Sequence, residues 1–119
     1  MPRRARVTEV EAACGETGYS RFPVVGEHGA LVGYLHIKDV LHADPHGRAR
    51  VVEDTWIRPF AEVRLSDTLV SALQILQAKG AHMATVMDDD GVVAGVITLE
   101  DVIEELVGEI RDAAHADGH

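Results

Sequence analysis

The residues best suited to bind a ligand are Thr98 and Asp101, which lie in the stretch GVITLEDV at residues 95–102. The branched apolar run predicts a buried strand, and the run ends where a helical pattern begins. A hydroxyl at that turn, with free main-chain N–H groups, can contact a phosphate at the positive end of the helix dipole. A carboxylate three residues later can accept two hydrogen bonds from a sugar diol. Thr98 could instead simply cap the helix, and the spacing alone favours that interpretation over a ligand contact.

The segment that contains these two residues occurs twice in the chain. Residues 18–41, GYSRFPVVGEHGALVGYLHIKDVL, align without a gap with residues 80–103, GAHMATVMDDDGVVAGVITLEDVI, at an offset of 62 residues. Asp39 corresponds to Asp101, whereas His36 takes the place of Thr98. A two-copy repeat in so short a chain predicts two similar units packed about a pseudo-twofold axis.

Each copy has the pattern helix, strand, strand, helix, which is typical of an α+β fold. In the second copy, Ser66-Asp67-Thr68 predicts a helix start and Gly80 predicts its end. The second copy continues with predicted strands at 83–87 and 92–98 around the turn DDDG and with an amphipathic helix from Leu99. In the first copy, the predicted elements are a helix at 7–16, strands at 22–25 and 31–35, and a short helix from Ile37. The predicted division is into residues 1–55, which end in a polar connector, and residues 56–119.

The composition excludes several classes of function. The chain of 119 residues has a formal net charge of −9, which argues against nonspecific binding to nucleic acid. No apolar run approaches the roughly 18 residues of a membrane span, and no nucleophile–base arrangement of an enzyme is evident. The lone Cys14 favours a reducing compartment. His42, Asp44 and His46 have spacings that could hold a metal, but their Pro/Gly-containing loop favours a solvated connector, so no metal site is predicted.

The repeated strand–helix junction resembles a pair of CBS motifs, known as a Bateman module. The segments TGYSRFPVV, GYLHIKDVL, IRPF, HMATVMDDDG and AGVITLEDVIEELVGEI resemble more narrowly the CBS pair of CorC/HlyC-like and CNNM-like magnesium and cobalt transport proteins, over roughly residues 16–112. The resemblance implies a cytoplasmic, non-enzymatic regulatory module that forms homodimers. It also implies that an adenine nucleotide, Mg-ATP or else AMP or ADP, binds in a cleft between the motifs and controls an attached membrane transporter domain in a longer parent chain.

The resemblance also assigns roles to residues of this chain. It implies that Asp101 holds the ribose hydroxyls, that Thr98 lies at the phosphates, and that Arg21 supplies the cation that an acidic surface lacks. The other implied contacts are His82, Met83 and Ala84 at the adenine slot and Tyr19 and Ser20 near the phosphates. His82 could stack on the base or cap the preceding helix.

The first copy retains Asp39 and therefore allows a second nucleotide site, weaker than the first. It would comprise Phe22, Pro23, His36 and Asp39. We expect Mg²⁺ to enter with the nucleotide, because such ions usually keep waters and use phosphate oxygens as ligands. The alternative function, of a different class, is a structural dimerisation module with a vestigial cleft.

Overall fold

The computed structural model of the chain describes residues 1–43 and 51–117, with side chains described as far as residue 112. The helices are α1 (Val7–Thr17), α2 (Ile37–Ala43), α3 (Leu69–Lys79) and α4 (Leu99–Asp117), and the strands are β1 (Arg21–Val25), β2 (Leu31–His36), β3 (Ala61–Arg64), β4 (Met83–Met87) and β5 (Val93–Thr98). A single 3₁₀ turn covers Asp54–Trp56. The chain divides into two compact units after Pro59, rather than at residue 55. Asp44 and His46 of the connector lie outside the described residues.

The first unit is built around the antiparallel hairpin of β1 and β2. Alternate residues of β1 point inward, and α1 covers them with Val7 and Val10. The core of this unit comprises Ala5, Val7, Val10, Phe22, Val24, Leu35, Val40 and Val52. Trp56 and Ile57 pack against the same core, so the segment after the connector belongs to the first unit.

The second unit contains a three-stranded sheet in the order β3–β4–β5. Thr68 caps α3 by accepting a 3.1 Å hydrogen bond from the main-chain N–H of Ser71, and Gly80 ends the helix at φ 68°, as predicted. The strand β3 was not predicted. It has only four residues, of which Ala61 and Val63 are buried, and its parallel pairing with β4 is not visible in local periodicity. The core of this unit comprises Ala61, Val63, Ala72, Leu76, Ala81, Ala84 and Val102.

The repeat extends to individual main-chain hydrogen bonds. The N–H of Ile37 donates to the carbonyl of Ser20 at 2.8 Å, and its counterpart Leu99 donates to His82 at 2.9 Å. Beyond the aligned segments, the N–H of Arg3 donates to Val25 at 3.0 Å, just as Leu65 donates to Met87 at 2.9 Å. The N-terminal residues of the first unit therefore take the place that β3 has in the second, and the predicted mixed helix–strand order of each copy is confirmed.

Among residues 1–43 and 51–117, no helix has the length and apolar character needed to cross a membrane.

Candidate functional site

Thr98 and Asp101 lie at the junction of β5 and α4. Thr98 is the last residue of β5 and is paired in register with Met83, while Asp101 lies in the first turn of α4. The N–H of Leu99 donates to the carbonyl of His82, which joins the start of β4 to the start of the helix. The hairpin thus places four of the predicted site residues of the second unit together, because antiparallel pairing sets the beginning of one strand beside the end of the other.

The hydroxyl of Thr98 caps α4. Its Oγ1 accepts a hydrogen bond of 3.1 Å from the main-chain N–H of Asp101. The N–H groups of Leu99 and Asp101 are therefore satisfied within the chain, and the expectation that they are free is wrong, because a β4 carbonyl and the capping hydroxyl take them up. A hydroxyl that accepts one hydrogen bond still has its own hydrogen to donate, so capping is compatible with contact to a phosphate oxygen.

The carboxylate of Asp101 is exposed and positioned to receive hydrogen-bond donors. No basic side chain forms an ion pair with it among the residues that the structure describes. Its two oxygens can therefore accept hydrogen bonds from the two hydroxyls of a diol, a charge-assisted contact that is stronger than one between neutral groups.

The residues predicted for the adenine slot differ in what they can offer. Met83 is 3% exposed, and Ala84 is fully buried in the core of the second unit. Their side chains are committed to packing, so a base beside this strand would meet main-chain groups there. His82 is half-buried and is the member of the three with an accessible polar side chain.

The first unit contains the remaining predicted contacts. Tyr19 is 70% exposed, and Ser20 precedes β1, where its carbonyl receives the N–H of Ile37. Arg21 begins β1 and is paired in register with His36. Phe22, predicted for the second site, has its side chain in the first core.

Asp39, the counterpart of Asp101, has a different environment. Its Oδ2 receives the Nε of Arg58 at 2.6 Å, and its Oδ1 receives Nη2 of Arg58 at 2.8 Å. The hydrogen bond from Arg58 lowers the pKa of Asp39, and the same contact raises the pKa of Arg58. Sequence reasoning missed the role of Arg58, although the stretch IRPF that contains it was part of the resemblance, because the contact joins residues 19 positions apart.

His36 caps α2 in place of the threonine of the second copy. Its Nδ1 accepts a 3.0 Å hydrogen bond from the main-chain N–H of Lys38, a geometry that requires an unprotonated Nδ1. Burial lowers the pKa of His36, and the nearby charge of Arg21 lowers it further. Pro23, the fourth residue predicted for the second site, is paired with Tyr34 on the neighbouring strand.

A cavity of about 470 Å³ opens beside the Asp39–Arg58 pair; Lys38, Asp39, His42, Ala43, Thr55, Trp56 and Arg58 line it. Neither here nor in the rest of the described ranges does a cluster of three or more histidine, cysteine or acidic side chains occur that could hold a metal ion.

Comparison with known proteins agrees with this geometry. The CBS-domain family model matches the chain twice, over residues 6–46 and 57–108. The chain therefore belongs to the CBS-domain family and contains a pair of these domains, which are regulatory, non-catalytic modules. Its individual relatives confirm the narrower resemblance to CorC/CNNM-like proteins.

One such relative is the magnesium and cobalt efflux protein CorC of Buchnera aphidicola, which is 35% identical over 98 residues, covering 82% of this chain and 34% of that protein. An uncharacterised protein of Mycobacterium tuberculosis is 45% identical over 106 residues, covering 89% of this chain and 30% of the relative. The chain thus spans about a third of the length of these curated relatives. A solved structure, the CBS domain of a bacterial CNNM/CorC family Mg²⁺ transporter in complex with ATP, has a TM-score of 0.73 at 35% identity and covers 90% of this chain and 77% of that one.

Proposed function

We propose that this CBS pair is a regulatory module that binds an adenine nucleotide, with ATP as the preferred candidate, through the β5–α4 junction of the second unit. The observation that carries the proposal is the exposed Asp101 carboxylate, one helical turn from the Thr98 hydroxyl, in a chain that is 35% identical to a CBS domain solved with ATP. Asp101 would accept the ribose hydroxyls and Thr98 would donate to a phosphate. His82 and the main chain of Met83 and Ala84 would contact the base.

The electrostatics of the chain require a cation beside the phosphates. The net charge is −9, and the first turn of α4 contains Glu100 as well as Asp101. We propose that Arg21 supplies one positive charge, with Tyr19 and Ser20 nearby, and that Mg²⁺ enters bound to the phosphates. An ion held in this way needs no protein cage, since Mg²⁺ retains several waters and uses phosphate oxygens as ligands.

Nucleotide binding would act on an attached divalent-cation transporter domain in a longer parent chain, from the cytoplasmic side of the membrane. A ligand changes a conformational equilibrium only through its difference in affinity for the two states. A nucleotide that binds one conformation of the module more tightly than another would favour that conformation. That preference is the coupling free energy available to the transporter.

Calorimetric titration with ATP, with and without Mg²⁺, tests this proposal. We expect Mg-dependent binding near one site per chain, weakened roughly a hundredfold or more in Asp101→Ala because two charge-assisted hydrogen bonds are lost. The matched control is Glu105→Ala, which removes the same charge from an exposed position on the same helix and should bind nearly normally. Flat titrations with ATP, ADP and AMP would refute the proposal.

A structural homodimerisation module is the second candidate, and one observation favours it. Ile103, Val107 and Ile110 of α4 are 44%, 40% and 68% exposed and lie at spacings of four and three residues, so they form one apolar stripe. Sedimentation of the chain with and without nucleotide separates the candidates. A dimer that Val107→Glu disrupts, in a chain that binds no nucleotide, would leave assembly as the function.

A further inference from the structure

We propose that the guanidinium of Arg58 occupies, at Asp39, the place that a ribose diol takes at Asp101, so that each chain binds one nucleotide rather than two. The inference rests on the proposed function of the second unit. It concerns the first unit, where Asp39 has kept the carboxylate of the repeat but has acquired a partner within the chain.

The carboxylates of Asp39 and Asp101 have equivalent backbone surroundings. Each lies in the first turn of a helix that directly follows the second strand of a hairpin. Each of these helices begins with an N–H that donates to the carbonyl opposite, from Ile37 to Ser20 and from Leu99 to His82. Backbone geometry therefore gives Asp39 the same opportunity to bind a diol as Asp101.

Arg58 uses the acceptors that a diol would need. Its Nε and Nη2 approach different oxygens of Asp39, at 2.6 and 2.8 Å, in the two-pronged geometry by which a guanidinium pairs with a carboxylate. Two vicinal hydroxyls present the same chemistry, with two donors directed at two oxygens. A ribose can bind at Asp39 only by displacing the guanidinium.

The chain holds Arg58 in this position through its backbone. Tyr34 and Arg58 exchange two main-chain hydrogen bonds, of 2.9 and 2.8 Å, which pair the segment with β2 in an antiparallel bridge. Gly33 permits this approach, because a Cβ there would lie 2.5 Å from the carbonyl oxygen of Arg58. At the matching Gly95, a Cβ would meet nothing within 4 Å. Among the described residues, this close approach of a neighbouring segment to the hairpin glycine therefore occurs in the first unit and not in the second.

The test is the stoichiometry of Mg-ATP binding to the full chain, measured by calorimetry. Wild type should bind one nucleotide, Arg58→Ala two, and the double variant Arg58→Ala with Asp39→Ala one. Arg64→Ala is the matched control, since it removes an equally exposed positive charge away from Asp39 and should leave one site. The gained site should bind 2′-deoxy-ATP roughly tenfold or more weakly than ATP, because one hydroxyl donor to a carboxylate is lost.

The outcomes separate this inference from the function on which it rests. One site in both wild type and Arg58→Ala, or two sites in wild type, would overturn the inference and leave the proposed function standing. A second site that persists without Asp39 would also overturn it. If wild type binds none and Arg58→Ala binds one through Asp39, the proposed function fails but the blocking of Asp39 by Arg58 stands, whereas no binding in either protein refutes both.

Discussion

Replacing Gly33 by alanine should destabilise the first unit strongly, whereas the same replacement at Gly95 should not. A Cβ at Gly33 would lie 2.5 Å from the carbonyl oxygen of Arg58 and 2.5 Å from Cγ2 of Ile57. The Arg58 oxygen belongs to the backbone and cannot move without lengthening the two hydrogen bonds to Tyr34. Overpacking costs about 1–3 kcal/mol and each weakened hydrogen bond about 1 kcal/mol, against a gain of about 0.5–1 kcal/mol from replacing a strand glycine. The net loss should be about 2–4 kcal/mol.

Urea denaturation measures this loss directly. The fluorescence of Trp56, the single tryptophan, reports on the first unit, because its side chain packs against that unit's core. At a slope of about 1–1.5 kcal/mol per molar urea, the midpoint for Gly33→Ala should fall by roughly 2 M. Gly95→Ala, at an exposed position with nothing near the new Cβ, should shift the midpoint little or raise it slightly. Equal midpoints for the two variants would refute the close approach at Gly33.

Two further predictions concern helix caps, one in each unit. Thr68→Ala removes the hydroxyl that accepts from Ser71 and should lower the free energy of unfolding by about 1 kcal/mol, while Thr68→Ser should largely retain it; an unchanged stability in the alanine variant would contradict the cap. His36 caps α2 by accepting the main-chain N–H of Lys38 at an unprotonated Nδ1, and the pKa of His36 is lowered from 6.5 by burial. The contribution of this cap to stability should therefore be fully present above pH 6.5 and be lost as the pH falls through the lowered pKa. Denaturation of wild type and His36→Asn between pH 5 and 8 checks this, since an asparagine oxygen can accept at every pH; the same pH dependence in both proteins would show that another group is responsible.

The two units show how one repeat can yield sites of different character. Both copies kept the hairpin, the left-handed glycines Gly29 and Gly91, and the aspartate at the start of the following helix. They differ in what pairs with the second strand of the hairpin. Tyr34 is 1% exposed and forms an antiparallel bridge with Arg58, whereas its counterpart Val96 is 36% exposed.

The sequence by itself determined the repeat, the order of the predicted elements and the membership of the CBS-domain family. Turns, caps and hydrophobic periodicity depend on residues close in the chain, so Gly80, Thr68 and the Asp-Gly turn could be recognised directly. The residue types and spacing at Thr98 and Asp101 were compatible with ligand contacts, but only the family resemblance favoured that role over a simple helix cap.

Only the tertiary structure decided how those contacts are used. It showed that Thr98 caps α4, that Ala84 is committed to the core, and that β3 pairs with β4 in parallel. Above all it showed that Arg58 pairs with Asp39, and that the segment carrying Arg58 pairs with β2 in close approach to Gly33. Contacts of this kind follow from long-range packing, for which neighbouring residues carry no periodic signal, so identical aspartates in the two copies could not be distinguished in sequence.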